Sequence, residues 1–289
     1  MNILVTGSNG QLGNEIKVIS ENYAGFNFIF TDIQELDLTS STKVETFFNQ
    51  HSIDLIINCA AYTSVDLAET EKALAELINV EAVHLLAKMS VAKNIKMLHI
   101  STDYVFDGTH YRPYKEDEMT SPNSVYGRTK LQGEQVLKAS GADYVIIRTS
   151  WLYSAFGNNF VKTIIRLSKE REELNVVADQ IGTPTYAADL AEVILKIVEN
   201  FDKTGAFKKN IYHYSNQGVC SWYDFAAEIV ELSKNNCKIN AIETHRYPTP
   251  AKRPFFSVLC KDKIKKTFDI EIPYWRNSLK KCILLLETN

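Results

Sequence analysis

Residues 2–13 read NILVTGSNGQLG, an apolar run that breaks into three glycines, Gly7, Gly10 and Gly13, spaced three apart. Ile3, Leu4 and Val5 in succession favour a strand covered on both faces. The segment that follows, QLGNEIKVIS, carries helical periodicity, so the glycines fall on a strand-to-helix turn. Such a turn needs residues without a Cβ where the chain reverses and where backbone amides approach a phosphate, and the helix N-terminus beyond it attracts the same charge. In this setting the pattern predicts a dinucleotide-binding βαβ unit, with Gly7, Asn9, Gly10, Gln11, Leu12 and Gly13 around the pyrophosphate.

Outward from the loop the pattern repeats. FNFIFTD (26–32), DLIINCA (54–60), KMLHIST (96–102) and YVIIRTSW (144–151) are apolar strands with helix-length segments between them. The alternation predicts an α/β fold, a doubly wound parallel sheet of the Rossmann kind over about residues 1–150. DLAEVILKIV (189–198) and NIYHYS (210–215) still read as a helix and a strand, so segments near 187–215 are expected to rejoin the sheet. Residues 151–289 otherwise lose the alternation and are expected to form a smaller, interleaved substrate-binding lobe.

The strand ends collect the polar residues, where ligands of doubly wound sheets bind. Asp32 closes the second strand, placed to accept hydrogen bonds from an adenosine ribose, with Asp37 and Leu38 next along the rim. Ala60 and Ala61, beside Tyr62, are small enough to let a cofactor pass close to the backbone. Thr102, Asp103 and Tyr104 end the fourth strand. VYGRTK (125–130) then puts Tyr126 and Lys130 four apart on one helix face. A phenol with a pKa of about 10 is a poor acid-base group at neutral pH, and a nearby cation is expected to bring it toward the working range.

Composition excludes other classes. A formal charge of −3 gives no reason to expect a nucleic acid partner, and the late run KDKIKK (261–266) reads as a solvated face. Five cysteines without CxxC spacing read as reduced, buried thiols. No apolar run reaches the length of a membrane span, so a cytoplasmic protein with no membrane partner is expected. Carboxylates and histidines show no metal-ligand spacing, and Glu15 is expected to be solvated.

Together the motifs resemble the extended short-chain dehydrogenases that act on nucleotide sugars. NCAAYTSVDLAE, STDYVFDG, VYGRTKLQGE, RTSWLY, GNNFVKT, DQIGTPT and YPTPAKRP are, in combination, similar to the dTDP-4-dehydrorhamnose reductase family along essentially the whole chain. The resemblance implies NADPH or NADH as cofactor, a dTDP-sugar as substrate, and reduction of a 4-keto group. Tyr126 would then donate a proton to the ketone oxygen, Thr102 hydrogen-bond it, and Lys130 hold the nicotinamide ribose. Tyr104 stands where dehydratases of the superfamily carry an acid, which favours simple reduction. Asp103, Tyr104, Trp151 and Asn159 would contact the sugar nucleotide, Trp151 by stacking, and Arg253 would clamp its pyrophosphate. Asn79 resembles the structural and proton-relay asparagine of the wider family. Relatives are also associated with magnesium, for which no site is placed, and with a homodimer. Other readings are a different nucleotide-sugar reductase, an epimerase, or a non-catalytic regulatory subunit like that of methionine adenosyltransferase. The residues themselves favour NADH: IQELDL (33–38) offers no cation to pair a 2′-phosphate, and Asp32 would repel one.

Overall fold

The computed structural model describes residues 1–288. Its first part runs β1 (Asn2–Thr6), α1 (Gln11–Ser20), β2 (Asn27–Thr31), α2 (Ser41–Gln50) and β3 (Leu55–Asn58). It continues through α3 (Lys72–Glu76), a π-turn (Leu77–Glu81), α4 (Ala82–Lys93), β4 (Lys96–Thr102), α5 (Val125–Ala139) and β5 (Tyr144–Thr149). A sixth strand, Asn210–His213, pairs with β5. The sheet order is β2, β1, β3, β4, β5 and Asn210–His213, and every pairing is parallel. Strand order reverses at β1, which opens the crevice at the carboxyl ends of β1 and β3.

Alternation within the strands decides what covers each face. Ile3, Val5, Leu55 and Ile57 face α1 and, through Leu190, Ile194 and Val198, α7 (Ala187–Thr204, after α6 at Phe160–Glu170). Leu4 and Ile56 face the other way, onto Val44, Phe48, Leu86 and Leu137 of α2, α4 and α5. These aliphatic side chains are fully buried, which stabilises by about 1.5–3 kcal/mol each. A sheet clamped on both faces gives the strand ends a rigid base.

The remaining chain builds a second core. Tyr153 and Val161 pack with Phe225 and Ile229 of α8 (Trp222–Leu232), and with Trp275 and Leu279 of the C-terminal helix Trp275–Thr288. A capping box, Ser221 with Asp224, starts α8. Two sequence expectations fail in this region. Lys261, first of the basic run, is buried rather than solvated and donates to Ser215 Oγ and the Asn216 carbonyl. The five cysteines are unpaired, but only Cys220 and Cys282 are buried outright.

Candidate active site

The glycine loop is shaped by contacts that forbid side chains. Gly7 has φ +66°, and a Cβ there would lie 2.6 Å from the Ala60 amide nitrogen. A Cβ on Gly13 would meet the Gly7 carbonyl at 2.5 Å. The loop is thereby pressed onto the end of β3 on one side and onto its own helix on the other. No side chain caps α1 at Gly10, so the positive end of the helix faces the crevice. Asp32 leans over the loop from β2, accepting the Asn9 N–H at 2.9 Å. Asp37 is held in its own turn by Thr39, and Leu38 packs against the core. This cradle, with Ala60 and Ala61 half-buried at its floor, fits a dinucleotide.

The 60–62 floor is fixed from behind. Asn79 sits in the π-turn, accepts the Tyr62 N–H at 2.9 Å, and donates to the Tyr62 carbonyl and to Thr129 Oγ1, each at 3.1 Å. The Tyr62 hydroxyl donates to Glu71 at 2.6 Å. The asparagine therefore locks the cofactor-side loop to α5.

Helix α5 begins at Ser124, whose hydroxyl accepts the Gly127 N–H at 3.1 Å. A side chain at Gly127 would collide with the Tyr104 carbonyl, so this glycine lets the helix start lie directly on the STDY turn. That contact brings Tyr126 to Tyr104, ring edge to face, with centroids 5.4 Å apart. Thr102 Oγ1 donates to Asp103 at 2.9 Å and accepts the Tyr104 N–H at 3.2 Å. Burial pushes the Asp103 carboxyl up to about 6.

The electrostatics correct one expectation. Burial raises the Tyr126 phenol above its ordinary value, partly offset by a hydrogen bond with the Thr102 side chain. Lys130 does not oppose that rise, because its ammonium points inward and donates to the Ile100 carbonyl at 2.7 Å. Tyr126 is therefore held protonated, suited to giving a proton. Lys130 itself is buried, and desolvation lowers it to about 8.

The second lobe reaches the site at three places. Asn159 caps α6 and donates to Gln11 of the glycine loop at 3.1 Å and to the Ser154 carbonyl at 2.7 Å. Arg253 bonds the Tyr104 hydroxyl at 3.0 Å and Asp66 at 2.5 Å, so the guanidinium expected to clamp a phosphate is already paired. Trp151, at φ +48°, stacks on Trp222 with centroids 3.6 Å apart. One face of this half-buried ring is thereby taken by the lobe core.

Glu15 is likewise not solvated. It is buried, accepts the Ser154 hydroxyl at 2.6 Å, and has its pKa raised by burial. Among the described residues no group of three or more His, Cys, Asp or Glu side chains is placed to hold a metal ion. No helix among them is long and apolar enough to cross a membrane.

Four side chains of the site escaped the sequence reading: Asn58, His99, Glu134 and Arg148. Glu134 and Arg148 form a buried bidentate pair at 2.7 and 2.9 Å, with Ser101 donating to Glu134 at 2.5 Å. A histidine inside KMLHIST and an arginine inside YVIIRTS are polar residues in apolar strands, and that was the available signal.

The family model described as RmlD substrate binding domain matches residues 1–287. A dTDP-4-dehydrorhamnose reductase from Aggregatibacter actinomycetemcomitans is 42% identical over 284 residues, covering 96% of this chain and 97% of that protein. The chain belongs to the RmlD family. Two solved members share its fold closely. A dTDP-4-dehydrorhamnose reductase from Clostridium acetobutylicum is 44% identical with a TM-score of 0.93, covering 99% of this chain and 100% of that one. A dTDP-4-dehydrorhamnose reductase from Bacillus anthracis, solved in complex with NADP, is 38% identical with a TM-score of 0.93, covering 98% and 99%. Full-length coverage places both cores of this RmlD family member, and not the glycine loop alone, within the likeness.

Proposed function

We propose that this RmlD family member reduces the 4-keto group of a dTDP-4-dehydro-6-deoxy-hexose, taking dTDP-4-dehydro-L-rhamnose to dTDP-L-rhamnose, with NADPH or NADH as reductant. The observation that carries the reading is the convergence of Thr102, Tyr104 and Tyr126 at the carboxyl end of β4. Membership of a family whose relatives are named for this reduction supports it.

A reduced nicotinamide, when bound, supplies the hydride. Gly7, Gly10 and Gly13 leave room for its pyrophosphate, with Asn9, Gln11 and Leu12 flanking, and Asp32, Ala60, Ala61 and Tyr62 bound its path. Tyr126 gives its hydroxyl proton to the ketone oxygen, which becomes the C4 hydroxyl, and the phenolate regains a proton from solvent. Thr102 hydrogen-bonds the same oxygen. Lys130 holds the nicotinamide ribose through its ammonium. Residues 1–150 with 187–215 serve the cofactor. The remainder serves the sugar nucleotide through Asn159 and Arg253, with Asp103 and Tyr104 on the facing wall.

Tyr126→Phe tests the assignment, since it keeps the ring and removes the proton. Turnover of dTDP-4-dehydro-L-rhamnose should fall about 100-fold or more, with NADPH affinity by fluorescence titration unchanged. Wild-type turnover in the variant would reject Tyr126 as the proton donor.

A further inference from the structure

A file of buried polar side chains crosses the sheet from β1 to Lys130. The Thr6 hydroxyl donates to Asn58 Oδ1 at 2.7 Å, and the Ala60 N–H donates to the same oxygen at 3.1 Å. Two donors on one oxygen fix which way the amide faces, and Asn58 Nδ2 meets His99 Nδ1 at 3.0 Å. An amide nitrogen only donates, so Nδ1 must accept. His99 is fully buried, and desolvation together with nearby Lys130 holds its pKa well below the ordinary value, so the ring is neutral. Its one N–H therefore lies on Nε2, 3.5 Å from Lys130 Nζ. Facing an ammonium, that N–H sets donor against donor; facing a neutral amine, it meets a lone pair.

We propose that Asn58 locks His99 in the Nε2–H tautomer, and that this N–H makes His99 a positioning residue which weakens the hold of Lys130 on its proton. The other groups around the amine act the opposite way or weakly. Glu134, one turn along α5, favours the ammonium, but both its oxygens are taken by Arg148 and Ser101. Cys59 at the end of β3 also favours the charged form, and from β4 the Ile100 carbonyl accepts one N–H. His99 presents a fixed donor to Nζ. The consequence for reduction rests on the role given to Lys130 above: the ammonium is present below about pH 8 and lost above it.

The test reads the tautomer and the amine without needing turnover. In protein labelled with 15N-histidine, long-range 1H–15N spectra should show His99 as the Nε2–H form; the Nδ1–H form would overturn the proposal. In protein labelled with [13Cε]-lysine, the resonance absent from Lys130→Met reports Lys130. Asn58→Asp keeps the acceptor for Thr6 and Ala60 but takes a proton from Nδ1–H, turning the free Nε2 lone pair toward the amine. It should flip the tautomer and raise the Lys130 midpoint by about one unit, a tenfold change in proton affinity. The same substitution in a His99→Phe background should raise it less. An unmoved midpoint, or an equal rise with and without His99, would contradict the mechanism. The alkaline limb of kcat/KM for the ketone should move with the midpoint. That arm alone depends on the proposed reaction, so a chain with no reductase turnover leaves the two spectroscopic outcomes decisive.

Discussion

Both carboxylate oxygens of Asp32 carry backbone donors, Asn9 N–H at 2.9 Å and Ile33 N–H at 2.8 Å, so this side chain holds the glycine loop to the end of β2. The carboxylate stands just past the carboxyl end of β2, where an adenosine ribose is expected. Lys43, on α2 beyond it, is paired with Asp37 at 3.2 Å. The residues therefore predict that NADH is used well, with at most about a tenfold preference for NADPH, and that Asp32→Ala moves the ratio toward NADPH. Specificity constants for both cofactors decide this. A thousandfold preference for NADPH, about 4 kcal/mol, would mean that Asp32 does not act on the 2′ position. Lys130 makes a second prediction at this scale. Its folded pKa of about 8 lies below the unfolded value, so the unfolded chain binds more protons between those two values and stability rises with pH across that window. Lys130→Met abolishes the term. The stability of the variant relative to wild type should fall by roughly 2–3 kcal/mol between pH 7 and pH 10.5, measured by urea unfolding; a constant difference would mean that the amine is not desolvated. The glycines, Tyr126 and Lys130 were legible because their chemistry is local. The inward turn of the ammonium was not, because His99 and Ile100 approach it from a strand some thirty residues away.

Helix α5 is the element that assembles the site, and glycines set its position. Gly127 allows contact with the STDY turn, and Gly133 lies against the Asn79 carbonyl so closely that a Cβ would collide with it. In an isolated helix Gly→Ala would gain about 1 kcal/mol of propensity. Here overpacking against rigid backbone wins, because the π-turn is fixed by three hydrogen bonds at the Asn79 side chain, two donated and one accepted. Gly133→Ala should destabilise by about 1–3 kcal/mol and lower turnover, seen as a reduced urea midpoint with an unchanged m-value. A variant as stable as wild type would show that the helix can shift freely. The existence of the helix was readable from VYGRTKLQGE. The π-turn was not, since a five-residue wide turn leaves no periodic mark in the sequence, and Asn79 acquired its role only through it.

At the scale of the molecule, the parallel sheet was legible because strands buried on both faces are apolar throughout. The second core was less so. Its aromatic contacts, such as Trp151 on Trp222 and Tyr153 on Phe225, join segments more than seventy residues apart in the chain. The same distance hid the pairing of Arg253 with Asp66, and of Glu15 with Ser154. The last two contacts tie the lobe to α1 and to the loop after β3, and the central claim is that a sugar ketone is reduced in the crevice between them. It is tested most directly by turnover with NADPH deuterated at C4 of the nicotinamide, on the transferred face, and dTDP-4-dehydro-L-rhamnose. The account predicts one deuterium per product molecule, located at C4 of the sugar by NMR. Oxidation of the cofactor without deuterium at that carbon, or label elsewhere on the sugar, would contradict it.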